Sequence, residues 1–103
     1  MKIEQLRQLL EVSRTGSINR AAANLYISQP NLSASLHSLE QELGYVLLDR
    51  SSRGVTLTAD GERFLEYARS VLEQFDHLKA LRKPASGTAP SLSIANARYR
   101  YVV

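Results

Sequence analysis

The sequence predicts a mainly α-helical fold: a helix-turn-helix closed by a small β-hairpin, then one long helix. Three observations carry this. Apolar residues recur at helical spacing in separate segments, Ser17, Ser28 and Thr58 stand where three of the helices would begin, and only "YVLLDRSSRGVTLT" breaks into short β-prone runs. A chain of 103 residues holds one ordinary domain and at most the edge of another.

From Ile3, apolar residues fall at Leu6, Leu9, Leu10 and Val12, the helical period. Gly16 interrupts that row, and Ser17 is placed to cap the next helix. "INRAAANLYI" reads as a short helix whose Ala21 and Ala22 let a neighbouring helix come close. "YIS", Tyr26–Ser28, then fits the turn of a helix-turn-helix. With Ser28 at the N-cap, Gln29 and Pro30 take the first two helical positions. Amides there have no intrahelical acceptor, so the proline starts the helix and does not break it. Leu32, Leu36, Leu39 and Leu43 form one stripe, and Gly44 suits the left-handed residue that ends it.

Two β-prone runs then flank the turn-rich Ser51–Gly54, which predicts a hairpin. Thr58 caps the last helix, with Asp60 and Glu62 well placed in its first turn. Phe64, Leu65, Ala68, Val71, Leu72, Phe75, Leu78 and Leu81 extend that helix to Arg82, about 24 residues at helical period. "KPASGTAPS" is a linker by composition, and "LSIANARYRYVV" begins like a strand. The expected units are therefore 1–57, 58–82, 83–91 and 92–103.

The formal net charge of +3 is modestly basic and alone points only weakly to nucleic acid. Its distribution says more. No acidic residue lies between Val12 and Leu39, where Arg14 and Arg20 stand. The absence of cysteine excludes a disulfide framework and thiolate metal sites, and is compatible with a reducing cytoplasm. "MKIEQLRQLL" is too charged for a signal peptide, and no run is long enough to cross a membrane. His37 and His77 are far apart without a carboxylate at ligand spacing, and there is no nucleophile elbow or glycine-rich phosphate loop. No enzymatic activity, metal or cofactor is expected.

A wheel of Gln29–Leu43 gathers the leucines on one side. Opposite them stand Pro30, Ala34, His37 and Gln41, with Ser33 and Ser38 beside them, all short or neutral. A phosphate-rich duplex can approach such a face without like-charge repulsion. Gln29, Asn31 and Ser33 carry hydrogen-bonding groups near the end where a recognition helix meets base edges, and glutamine can pair bidentately with adenine. A polar face opposite a leucine stripe is ordinarily just solvated. Here the order of elements (helix, small-residue helix, short turn, capped helix, hairpin) favours DNA. Arg50 and Arg53 flank or occupy the hairpin turn, where a wing could reach phosphates or a minor groove. On the last helix, Phe64, Ala68, Val71, Phe75 and Leu78 alternate by four and three, with Leu65 and Leu72 widening the stripe. Its first two turns are expected to cover the domain's own core. Beyond Val71 too little chain remains, so Val71, Leu72, Phe75 and Leu78 are expected to lie bare in a monomer and pair with a second copy.

Taken in this order, the residues are similar to the N-terminal DNA-binding domain of LysR-type transcriptional regulators. The matching pieces are Ala21, Ala22, Leu25, "SQPNLS" at Ser28–Ser33, "LEQELG" at Leu39–Gly44, Arg50 and "LTADG" at Leu57–Gly61. The resemblance covers Met1 to Arg82, and the rest resembles the start of that family's ligand-binding domain. It implies a winged helix-turn-helix and a linker helix that dimerises antiparallel through Phe64, Ala68, Val71, Leu72, Phe75 and Leu78. It also implies an AT-rich interrupted palindrome as target, tetramers of the full-length parent, and a bacterial, cytoplasmic setting. Gln29, Pro30 and Ser33 would face DNA, with Ser28 at the helix start and Arg53 acting from the wing. The small-molecule inducer would bind a C-terminal domain, so this chain is expected to be a fragment. Three positions depart from the pattern. Asn31 replaces a small apolar residue, Leu48 replaces a common phenylalanine, and Ala34 offers less to bases than the arginine of some relatives. The rival reading is a helical protein-interaction module that touches no DNA.

Overall fold

The computed structural model describes residues 1–81. They form α1 (Ile3–Thr15), α2 (Ile18–Leu25), α3 (Gln29–Leu43), β1 (Leu48–Ser51), β2 (Gly54–Leu57) and α4 (Ala59–Ala80). Arg82, the linker 83–91 and the strand expected from Leu92 lie outside the described residues. Met1–Glu73 make one compact unit, and α4 from Gln74 belongs to a second.

The helix ends follow local chemistry. Gly16 takes φ 69° and its amide donates to the Val12 carbonyl at 2.8 Å, closing α1. Ser17 Oγ accepts the Arg20 amide at 3.1 Å and Ser28 Oγ accepts the Asn31 amide at 3.2 Å, so both expected caps form. Pro30 sits in the first turn of α3, where no donor is missed. α2 stops at Leu25, and its left-handed closing residue is Tyr26, at φ 60°. The Tyr26 and Ile27 amides return to Ala23 and Ala22, which locks the short turn into α3.

Leu9, Val12, Leu32, Leu36, Leu39 and Leu47 are fully buried, so α1, α3 and the approach to β1 share one core. Each large side chain removed from water in this way is worth about 1.5–3 kcal/mol. Ala21 and Ala22 are buried as well, and their small side chains let α2 seat closely in that core.

The antiparallel hairpin is shorter than expected. Ser51 pairs with Gly54 as the last rung, leaving Ser52 and Arg53 as the turn, and Tyr45–Leu47 are not in a strand. Competition for the Leu47 backbone explains this. Its carbonyl still accepts the in-register Thr58 amide at 2.9 Å, but its amide goes to the Glu40 carboxylate and the Thr58 carbonyl accepts the Glu62 amide, so the second half of that rung cannot form. Gly61 packs directly onto that carbonyl, and a Cβ there would overlap the Leu47 oxygen.

On α4 the expected bare row is corrected at two positions, Leu72 and Phe75. Leu72 is not bare but 5% exposed, and Ala68 is 3% exposed. Gly61, Leu65, Ala68 and Leu72, spaced by four, three and four, form the buried row, and the three with side chains belong to the same core cluster as α1, α3 and Leu47. The domain's own core therefore reaches Leu72, past the limit that the sequence reading set at Val71. Val71 (46% exposed) and Leu78 (64%) lie bare as expected, and Tyr67 (71%) joins them on a row about 100° round the helix. Phe64 and Phe75 are half-buried.

Candidate nucleic-acid interface

The outer face of α3 comes from its leucine row. With Leu32, Leu36 and Leu39 held inside, Ser28, Gln29, Pro30, Asn31, Ala34 and His37 are all exposed, and Ser33 is half-buried. Gln29 Nε2 donates to Ser33 Oγ one turn on, at 3.2 Å, which pre-orients the amide across this face. The rotation of α3 about its own axis is set from α1. Gln5, buried on the apolar row of α1, donates through Nε2 to the Ser35 carbonyl at 3.0 Å and accepts the Lys2 amide at 2.8 Å. Ser35 Oγ donates in turn to Gln8 Oε1. Buried polar groups are kept only with partners, so these bonds fix which residues α3 presents.

Acid is kept off this surface in two ways. Glu11, at the near edge of the acid-free stretch, accepts from Arg14 Nη1 at 2.6 Å and from Asn24 Nδ2 at 2.7 Å. The Arg14 hydrogen bond, then that of Asn24, holds the Glu11 carboxyl below its ordinary value, while Glu11 raises Arg14. Arg14, expected to add to the basic character of the surface, is thus paired locally. Glu40 is the first carboxylate on α3, and it is turned toward the hairpin. Its Oε2 accepts the Leu47 amide at 2.7 Å and the Leu48 amide at 3.0 Å, while Oε1 lies 4.0 Å from His37 Nδ1.

The arrangement brings some expected residues together and separates others. Ser33, Ala34 and His37 of α3 share an open groove with Val46, Leu48 and Arg50 of the hairpin side, with Glu40 beneath. Asn31 and Ala34 also border a second depression on the α1 side with Lys2, Gln8, Ser35 and Ser38, where Glu4 and Glu42 stand as well, Glu42 paired with the Met1 ammonium at 2.8 Å. Arg53 stands exposed at the hairpin turn and lines neither groove, its amide donating to Ser51 Oγ at 3.2 Å. Gln29 and Pro30 lie at the start of α3 outside both. Gln5 and Glu40 were not anticipated. The available signal was a polar residue on an apolar row: Gln5 precedes Leu9 and Val12 by helical spacing, and Glu40 lies between Leu36 and Leu43.

Among the described residues no group of three or more potential ligands could hold a metal ion, and no helix is long and apolar enough to cross a membrane.

A capped helix with an outer face free of acid from Ser28 to His37, seated on two helices and flanked by an arginine-bearing hairpin, defines a winged helix-turn-helix DNA-binding domain. The model of the bacterial regulatory helix-turn-helix proteins of the lysR family matches residues 3–62, and the chain belongs to that family. The HTH-type transcriptional regulator ClcR of Pseudomonas putida is 41% identical over 101 residues, which is 98% of this chain and 33% of ClcR. The chain thus spans about a third of the length of the curated relatives it matches. Two solved structures give the same fold. The complex of the BenM DNA-binding domain with catB site 1 DNA is 39% identical at a TM-score of 0.74, covering 78% of this chain and 86% of that one. Full-length CbnR complexed with its target DNA is 41% identical, also at 0.74, covering 78% of this chain and 28% of that one.

Proposed function

We propose that this chain binds duplex DNA sequence-specifically as a dimer, each α3 entering a major groove and each hairpin arm reaching the adjacent backbone or minor groove. The observation that carries this is the outer face of α3, exposed from Ser28 to His37 and free of acid. Gln29, Asn31 and Ser33 supply base-edge hydrogen bonds, and Pro30 and Ala34 supply apolar contact suited to thymine methyls. Ser28, His37, Arg50 and Arg53 act on the backbone, with Arg53 also able to enter a narrow minor groove. The target is an AT-rich interrupted palindrome. Its two halves are met by two copies joined antiparallel through α4, with Tyr67, Val71 and Leu78 at the seam and Phe64 and Phe75 beside it. Ala68 and Leu72, expected in that seam, back it from the core side.

The function is regulatory and not catalytic, which the names of the relatives as transcriptional regulators support. Residues 1–57 read DNA, 58–82 dimerise, 83–91 hinge, and 92–103 begin a domain that in a longer parent holds a small-molecule inducer and supports tetramers in the cytoplasm.

The test is a fluorescence-anisotropy titration on duplex DNA, including DNA upstream of the parent's gene, at several salt concentrations. Tight binding to one palindrome and weak binding elsewhere are expected, with log affinity falling by about 0.9 per log salt for each phosphate neutralised. No binding to any duplex at low salt would favour a protein-interaction module.

A further inference from the structure

We infer that Glu40 is a positioning residue for DNA binding: its carboxylate, carried by the recognition helix, sets where the wing stands. The inference rests on the DNA-binding reading above and adds a residue to it. Glu40 side-chain exposure is only 12%, although it sits on the helix that faces the duplex. Oε2 accepts two consecutive amides, those of Leu47 and Leu48, at 2.7 and 3.0 Å. Leu48 is the first residue of β1, so these bonds hold the base of the wing to α3.

The same short segment is held from its other side. Thr58 donates its amide to the Leu47 carbonyl at 2.9 Å and its hydroxyl to the Val46 carbonyl at 2.7 Å. Val46–Leu48 is thereby clamped between Glu40 and the cap of α4. The α4 side fixes the carbonyls. Among the described residues, Glu40 is what ties this segment's amides to the recognition helix. The hairpin itself is two strands of four residues, too small to hold a position alone; β2 is tied to the end of α1, where the Val55 amide donates to the Gly16 carbonyl at 3.1 Å, and the base of β1 is tied to α3 through Glu40. Glu40 therefore sets the distance between the α3 side chains and Arg50 and Arg53. Two amide donors also offset its negative charge, which would otherwise repel phosphate in the groove it underlies.

The test is a double-mutant cycle on operator affinity, with helix content and thermal unfolding recorded for each variant. Glu40→Ala is expected to weaken operator binding even though it removes a negative charge near DNA. In that background Arg53→Ala is expected to change affinity by less than about twofold, the limit for independent sites to add without coupling. Gln29→Ala is expected to keep its full effect, because α3 still reads bases. Glu40→Gln, which retains an acceptor oxygen, is expected to restore the contribution of Arg53. If Glu40→Ala fails to fold, Glu40→Asp replaces it in the cycle, since it keeps the charge but ends one methylene short of the amides.

Full additivity of Glu40 and Arg53 substitutions would overturn the inference, as would an Arg53→Ala chain that binds like the unmodified one. An equal loss of the Gln29 and Arg53 contributions would do so too, since it marks a general loss of structure. Failure of the unmodified chain to bind any duplex would instead sink the DNA-binding reading itself.

Discussion

α3 and α4 are both long, both bury a leucine-bearing row, and treat their outward sides in opposite ways. α3 hides Leu32, Leu36 and Leu39 and shows serine, glutamine, asparagine, alanine and histidine. α4 hides Leu65, Ala68 and Leu72 and still shows Tyr67, Val71 and Leu78. A face of small neutral groups gains little by leaving water for an apolar surface, and suits a hydrated polyanion whose base edges need hydrogen-bond partners. A second apolar row gains about 25 cal/mol for each Å² it buries, and suits another apolar surface. On the reading proposed above, two surfaces on one small chain are addressed to two different partners.

The largest effect is expected from exchanging their characters. Leu78→Glu puts a charge on the α4 row of each copy and should leave monomers with intact helix content. Operator affinity should then fall by roughly 10²-fold or more, because two linked half-sites no longer bind as one. Ala34→Glu on α3 should abolish DNA binding while leaving the dimer whole. Light scattering and anisotropy on both variants check the pair. If Leu78→Glu stays dimeric, or if Ala34→Glu yields monomers, the assignment of the two faces is wrong.

A smaller effect tests readout within the α3 face. Gln29→Ala should cost about 1–3 kcal/mol on the operator and flatten preference at one base pair per half-site. Affinity measured against a set of single-base operator variants reads this directly. An unchanged preference would place base recognition elsewhere, on Asn31 or Ser33.

The fold was legible in the sequence wherever one residue decides a local event. Gly16, Ser17, Ser28, Pro30, Gly44 and Thr58 each mark a helix end, and each does so in the structure. The failures lie where a residue answers to a distant part of the chain. Helical spacing merged the two apolar rows of α4, since only the packed core decides that Leu72 goes in and Tyr67 stays out. The hairpin is shorter than its β-prone runs because the Leu47 amide bonds a carboxylate seven residues back, which nothing local in the sequence shows. Arg14 counted toward a basic surface until its pairing with Glu11 was visible. The exposed face of α3 was readable as composition, but what holds that face in place, Gln5 and Glu40, was visible only as polar residues out of place on apolar rows.

Glu11 allows the smallest of these effects to be measured, and it concerns the seat of α3 more than either face. Its carboxylate joins α1 to Asn24 near the end of α2, directly before the turn into the recognition helix. The hydrogen bonds from Arg14 and Asn24 lower its pKa in the folded chain below the ordinary 4.5. A lowered folded pKa means that the ionised form is favoured by folding, so the contribution is fully present above the unfolded pKa. As pH falls, the unfolded chain takes up the proton first, and the contribution disappears by the time pH has passed through the folded pKa. Arg14 stays charged throughout and cannot alter the sign. Glu11→Gln keeps an acceptor for Asn24 but removes the charge, so it isolates this part of the contact. The unfolding temperature of the unmodified chain should exceed that of Glu11→Gln by a small, constant margin near neutral pH. The margin should begin to close below about pH 5 and vanish in stronger acid, because both chains then carry a neutral group at this position. Operator preference should be the same in both, since no base-facing residue of α3 is touched. A margin that persists in strong acid would show that Glu11 acts through shape and packing, not through its charge.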